Sequence, residues 1–88
     1  MSEEKTFKER VSEARAKGFT PSFDKVAKYI ENNMLRAALS TASQLARSND
    51  VDPATVVRMS QRLRYRGYPD LRSELADSIV EETDIITG

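Results

Sequence analysis

The side chains of this 88-residue chain that could do chemistry are arginines, glutamines and hydroxyl groups. The chain has no His and no Cys, so it lacks the usual ligands of structural zinc and any thiolate nucleophile. Its carboxylates fall mostly in the pattern of solvated helix faces, and no Gly-rich phosphate-binding loop is present. The sequence therefore predicts no enzyme, no metal site and no cofactor.

One predicted helix, Pro53 to Arg64, carries a pattern suited to reading DNA bases. At 100° per residue one face consists of Val56, Met59, Ser60 and Leu63, which we expect to be buried. Around the opposite face lie five candidates for base contact: Ala54, Thr55, Arg58, Gln61 and Arg62. Short side chains let a helix approach base edges, Arg pairs with guanine and Gln pairs with adenine. The alternative is an exposed face that merely keeps the protein soluble.

A second set of polar residues could hold DNA phosphates: Thr41, Ser43, Arg47, Arg64 and Arg66. Thr41 and Gln44 form a capping box that begins a short helix, and its N-terminus would point towards a phosphate. Arg64 and Arg66 follow the predicted recognition helix. The two tyrosines of that stretch, Tyr65 and Tyr68, are expected to anchor the core with their hydroxyls at the surface.

The two polar sets belong to helices with clearly marked starts. The first helix ends near Arg47-Ser48-Asn49-Asp50, and Asp52-Pro53 begins the next with a carboxylate cap and a Pro at the first position. About four residues join them, which is the pattern of a helix-turn-helix.

The charge of the chain is unevenly distributed. Fourteen basic and fourteen acidic residues cancel, yet residues 53–72 hold five Arg and one acid, whereas residues 73–88 hold five acids and no base. A net charge of zero therefore allows DNA binding but confines it to one face.

The remaining segments predict an all-α fold, a small bundle of about five helices. Residues 1–18 form an amphipathic helix with the stripe Phe7, Val11 and Ala14, ended by Gly18; it either docks on the core or binds a second copy or a partner.

Thr20-Pro21 begins a second helix. Met34 to Leu39 is a connector or single turn whose Met34, Leu35 and Leu39 are expected in the core. Pro69 begins the last helix, with the stripe Leu71, Leu75, Ile79 and Val80.

With these residues in hand, the chain resembles the N-terminal DNA-binding domain of the RpiR/MurR family of bacterial transcriptional regulators. The resemblance runs from Phe19 to about Ala76, and its most specific part is Val51-Asp52-Pro53-Ala54-Thr55-Val56-Val57-Arg58 followed by the Gly67-Tyr68 corner. Where the family usually has Leu-Gly-Phe, this chain has Leu63-Arg64-Tyr65, which places Arg64 in a turn that favours Gly. Asp52 stands where the family often has Ser.

No stretch approaches the roughly 20 apolar residues of a membrane span, and the N-terminus is polar and acidic, so the sequence predicts a cytoplasmic protein. The resemblance implies binding of double-stranded DNA, control of sugar or amino-sugar genes, and a homodimer on a pseudo-palindromic operator. Dimerisation would use the N-terminal helix or a sugar-isomerase-like domain that binds a phosphosugar effector and that this chain does not contain. On this interpretation residues 19–84 are the DNA-binding domain and residues 85–88 are a tail or the start of a linker. The competing hypothesis is a helical protein-interaction module that contacts its partner through Phe7 and Val11.

Overall fold

The computed structural model describes residues 5–87, and for residues 81–87 it describes the backbone alone. Within that range the chain forms six helices and no strand: α1 (Phe7–Lys17), α2 (Pro21–Asn32), α3 (Met34–Ala38), α4 (Ala42–Ser48), α5 (Pro53–Arg62) and α6 (Tyr68–Thr87). The predicted all-α class is confirmed, with one helix more than the five expected because the Met34 segment completes a helix of its own. No helix in the described range is long and apolar enough to cross a membrane.

Side-chain caps fix where four of these helices begin. Thr41 accepts from the backbone of Gln44 and the Gln44 side chain accepts in return, which confirms the predicted capping box of α4. Thr20 and Asp52 cap α2 and α5 ahead of a Pro, also as predicted. A second capping box, between Thr6 and Glu9, begins α1.

The stripe of α1 is buried inside the domain. Phe7, Val11 and Ala14 are at most 6% exposed and join a core built from α2, α4, α5 and α6. The docking interpretation is therefore correct. The alternative, in which Phe7 and Val11 contact a second copy or a partner, is wrong because the core already covers both side chains.

The expectation for Leu35 and Leu39 is also wrong, since they are 61% and 75% exposed. Helix α3 is five residues long and buries Ala37, and at 100° per residue both leucines lie on its far side. Met34 is half-buried against the core.

Helix α6 begins one residue before the predicted Pro69 and includes Ile85 and Ile86 in its backbone. Leu71 and Leu75 are fully buried as expected, whereas Val80 is 57% exposed because the core ends before it. The side chains of the two isoleucines lie outside the described residues.

Two hydrogen bonds fasten the start of α6 to the end of α3. The Tyr68 hydroxyl donates to the Ala37 carbonyl at 2.5 Å, and Arg72 Nη1 donates to the Ser40 carbonyl at 3.4 Å. Helices α4 and α5 form the segment between these two attachment points.

Candidate nucleic-acid interface

Helices α4 and α5 pack closely on each other and are joined by Asn49 to Asp52, as a helix-turn-helix requires. The turn is held by the main chain of α4: Val51 donates to the Ala46 carbonyl at 2.9 Å, and the buried Asn49 side chain donates to the Leu45 carbonyl at 2.8 Å. Asp50 turns the backbone with a φ of 56°. Val51 of this turn is half-buried and packs against the core.

The inner face of α5 is the one that its periodicity predicts: Val56, Met59, Ser60 and Leu63 are all buried. Ser60 is the one polar member of that face, and its hydroxyl donates to the Val56 carbonyl at 2.9 Å. At the start of the helix, the Asp52 carboxylate accepts from the Ala54 amide at 3.0 Å. The rotation of α5 about its axis is therefore fixed by packing.

That rotation exposes three of the five predicted base-reading residues. Arg58, Gln61 and Arg62 are exposed, while Ala54 and Thr55 near the N-terminus are half-buried. Helix α5 contains two Arg and no acid. Its outer face therefore offers donors in the forked geometry that base edges accept.

Arg62 also has a partner within the chain. Its Nη2 atom donates to the Gly18 carbonyl at 3.2 Å, so the end of α1 lies beside the C-terminal half of α5. Gly18 itself has the left-handed φ of 101° predicted for the residue that ends α1. This bond uses one of the five N–H donors of the guanidinium.

The five candidates for phosphate contact lie on α4 and its cap (Thr41, Ser43 and Arg47) and in the turn after α5 (Arg64 and Arg66). Ser43, Arg47, Arg64 and Arg66 are exposed. Thr41 Oγ1 accepts from the Gln44 amide at 3.1 Å, which leaves its hydroxyl hydrogen free to be donated. Thr41 and Ser43 thus lie at the start of α4, Arg47 lies in its last turn, and Arg64 and Arg66 follow the last turn of α5.

The turn after α5 places Arg64 in the left-handed region, with a φ of 76°. The Arg64 amide donates to the Gln61 carbonyl at 3.0 Å and the Tyr65 amide donates to the Ser60 carbonyl at 3.0 Å. These two bonds are those of a Schellman motif, in which the left-handed position is usually Gly. The strained turn expected from Leu63-Arg64-Tyr65 is confirmed.

Arg10 of α1 completes the end of α5, and the sequence did not single it out. Its Nη1 atom donates to the Leu63 carbonyl at 3.0 Å, and its guanidinium lies 4.4 Å from the centre of the Tyr65 ring. Glu74 of α6 lies 3.9 Å from its Nε atom. The available signal was its place at the edge of the α1 stripe, where a long side chain reaches neighbouring helices.

The two tyrosines beside this turn are buried, as predicted, but the expectation that their hydroxyls reach the surface is wrong: the Tyr65 hydroxyl is buried, and the Tyr68 hydroxyl donates to the Ala37 carbonyl inside the domain. Burial raises the pKa of Tyr65, and the nearby Glu74 carboxylate raises it further. Burial likewise raises the pKa of Tyr68 to about 12. Both phenols therefore stay neutral at physiological pH and serve to position the turn.

The sequence of the chain matches the model for a helix-turn-helix domain of the rpiR family over residues 7–82. Among curated proteins it is similar to an uncharacterized HTH-type transcriptional regulator of Caldanaerobacter subterraneus subsp. tengcongensis, with 30% identity over 70 residues. That similarity covers 80% of this chain and 25% of the relative, so the chain spans about a quarter of the relative's length. The helix-turn-helix of α4 and α5, and the match over nearly the whole chain, show that it belongs to the rpiR family of helix-turn-helix domains.

Proposed function

We propose that this chain binds double-stranded DNA sequence-specifically and is the DNA-binding part of a bacterial transcriptional regulator. The observation that carries the proposal is the outer face of α5, where Arg58, Gln61 and Arg62 are exposed on a helix whose inner face is fully packed. A rigid helix with exposed Arg and Gln is what direct readout in the major groove needs. The family match and the regulator similar to this chain support the same role.

In this proposal Ala54 and Thr55 let the start of α5 approach the bases, and Arg58, Gln61 and Arg62 read them. The phosphates on either side are held by Thr41, Ser43 and Arg47 of α4 and its cap and by Arg64 and Arg66 after α5. The contacts with bases set the sequence preference, whereas the contacts with phosphates set the register on the duplex and the salt dependence of binding.

The proposal extends to assembly and to the regulated genes. A homodimer would place two copies of α5 about 34–36 Å apart on a pseudo-palindromic operator in the bacterial cytoplasm. Because the stripe of α1 is buried, dimerisation would use another surface or a domain outside this chain. The family implies sugar or amino-sugar genes, with a phosphosugar effector bound by such a further domain, to which residues 85–88 would lead.

Selection of bound sequences from a random duplex pool at near-physiological salt tests DNA binding directly. We expect a shared motif with related half-sites. Complex formation with a protein partner and no enrichment of any DNA sequence would overturn the proposal.

Substitution of Arg58 tests the assignment of α5 as the reading helix. We expect Arg58→Ala to weaken binding to the selected duplex by about 1–3 kcal/mol and to relax the preference at one base pair. Fluorescence anisotropy on matched and single-base-changed duplexes measures both effects. Lys25→Ala is the control, since Lys25 is exposed on the side of α2 opposite its buried residues. A folded Arg58→Ala variant with unchanged affinity and preference would contradict the assignment.

A further inference from the structure

A basic groove lies between α1 and the C-terminal end of α5. It encloses about 690 Å³, and its lining includes Lys5, Glu13 and Lys17 from the α1 side and Gln61, Arg62 and Arg64 from the α5 side. Glu13 is the one acid among the groove's lining residues, against several cations. The groove therefore suits an anion.

The groove is continuous with the surface proposed to read DNA. Gln61 and Arg62 belong to the outer face of α5 and also line the groove. The bond from Arg62 to the Gly18 carbonyl holds the last turn of α1 against that face. A duplex lying along α5 would therefore pass the end of α1, where Lys17 is exposed.

Charges within the groove already act on one another. The pKa of Glu13 is lowered first by its hydrogen bond with Lys5, and the charges of Lys17 and Arg64 lower it further. Lys5 is thus neutralised by its ion pair with Glu13. Lys17 and Arg64 have no ion pair among the residues that the structure describes, and they can neutralise a phosphate.

We infer that this groove is an extension of the DNA interface outside the helix-turn-helix, in which Lys17 of α1 contacts a backbone phosphate next to the one held by Arg64. The inference rests on the proposed function and adds a contact from a helix outside the helix-turn-helix. Glu13 limits the strength of this contact, because it pairs with Lys5 and repels the phosphate.

The test uses the whole chain and the duplex recovered by selection, with affinity measured by anisotropy over a range of salt concentrations. Lys17→Ala should lower affinity equally for matched and mismatched duplexes and reduce the slope of log K against log salt by about 0.9, the loss of one phosphate contact. Lys8→Ala is the matched control, because Lys8 is exposed on the opposite side of the same helix, about 170° from the groove-facing residues.

A second variant is expected to raise DNA affinity rather than lower it, so misfolding cannot produce the same result. Glu13→Gln should raise affinity and steepen the salt slope by up to about 0.9, because it releases Lys5 and removes a repulsive charge. Shortening the duplex at its flanks should remove the phosphate that Lys17 contacts, so Lys17→Ala should then leave affinity unchanged. If the groove instead held a free anion, shortening the duplex would not alter the effect of Lys17→Ala.

The possible failures are distinguishable. If the wild-type chain binds no duplex, the proposed function and this inference are both overturned. If binding depends on Arg58 while Lys17→Ala and Glu13→Gln both keep the wild-type salt slope, this inference alone is overturned.

Discussion

Arg64 adopts a backbone conformation that costs less for glycine than for any residue with a Cβ atom. Its φ of 76° lies in the left-handed region, and the Schellman bonds around it require that conformation. Arg64 is also exposed at the end of the proposed reading helix, where its charge faces the groove with α1. The backbone strain and the positive charge therefore belong to the same residue.

We expect Arg64→Gly to stabilise the domain by about 0.5–1 kcal/mol, the relief of left-handed strain less the extra entropy of unfolded Gly. Arg64→Ala keeps the strain and should be about 1 kcal/mol less stable than Arg64→Gly. Urea denaturation of the two variants measures the difference. Arg66→Gly is the control, since residue 66 has no positive φ and gains nothing. Equal stability of Arg64→Gly and Arg64→Ala would contradict the explanation.

Single residues could be predicted from the sequence where a local rule applied to them. Arg64 stands at a position where the chain must turn directly after a helix, and the absence of Gly there is visible in the sequence. Arg10 is the counterexample, since its partners Leu63 and Glu74 are 53 and 64 positions away. No local pattern identifies such partners, because they meet only after α1 has docked.

At the scale of elements, α1 acts as a brace for the helix-turn-helix. Its buried stripe joins the core, Arg10 bonds the main chain at the end of α5, and Gly18 accepts from Arg62. Helix α1 thus contacts the C-terminal end of α5 through both its main chain and the exposed Arg62 side chain.

Arg10→Ala should therefore destabilise the domain by about 2 kcal/mol, since it removes charge-assisted hydrogen bonds to carbonyls at a helix end and a cation–π contact. Arg10→Lys should recover less than half, because lysine lacks the planar fork. Chemical denaturation monitored by circular dichroism gives both values.

Arg15 of the same helix is the matched control. It pairs with Asp24 at 2.6 Å and Glu31 at 3.3 Å, but these groups are on the surface. Surface pairs of this kind are worth less than about 1 kcal/mol, so Arg15→Ala should cost clearly less than Arg10→Ala. Equal losses in the two variants would show that Arg10 is not a brace.

Element boundaries followed from the sequence at the caps Thr20, Thr41 and Asp52, whereas the capping box of Thr6 and Glu9 was missed and α1 begins only at Phe7. Helix α3 lacks a side-chain cap and is too short to show a period, so its apolar residues were assigned to the core by type alone. Leu35 and Leu39 are exposed because a five-residue helix can turn only one narrow side, that of Ala37, to the core.

At the scale of the whole molecule, the buried tyrosines link stability to alkaline pH. Unfolded Tyr ionises near pH 10, whereas the pKa of Tyr68 in the fold is raised to about 12 and that of Tyr65 is raised as well. Above pH 10 the unfolded chain binds fewer protons than the native one, so the free energy of unfolding falls as pH rises. Below pH 10 both tyrosines are protonated in the folded and the unfolded states, so they do not change the free energy of unfolding with pH.

We expect a loss of up to about 2–3 kcal/mol from Tyr68 between pH 10 and pH 12, measured as the shift in urea midpoint. Tyr68→Phe should cost about 1 kcal/mol at pH 8, through its lost bond to Ala37, and should flatten the alkaline fall. Every other titratable group is the same in the two proteins, so the difference between them isolates Tyr68. An equally steep fall in the variant would contradict the assignment.

The two bonds that join α6 to α3 also decide which sequence changes the domain can accept. Their acceptors, at Ala37 and Ser40, are main-chain oxygens that every amino acid supplies, whereas their donors are the side chains of Tyr68 and Arg72. Residue 40 can therefore be substituted without loss of this bond, whereas residue 37 is restricted because its side chain is fully buried. Related chains could diverge on the α3 side of this attachment and still present the reading helix at the same angle.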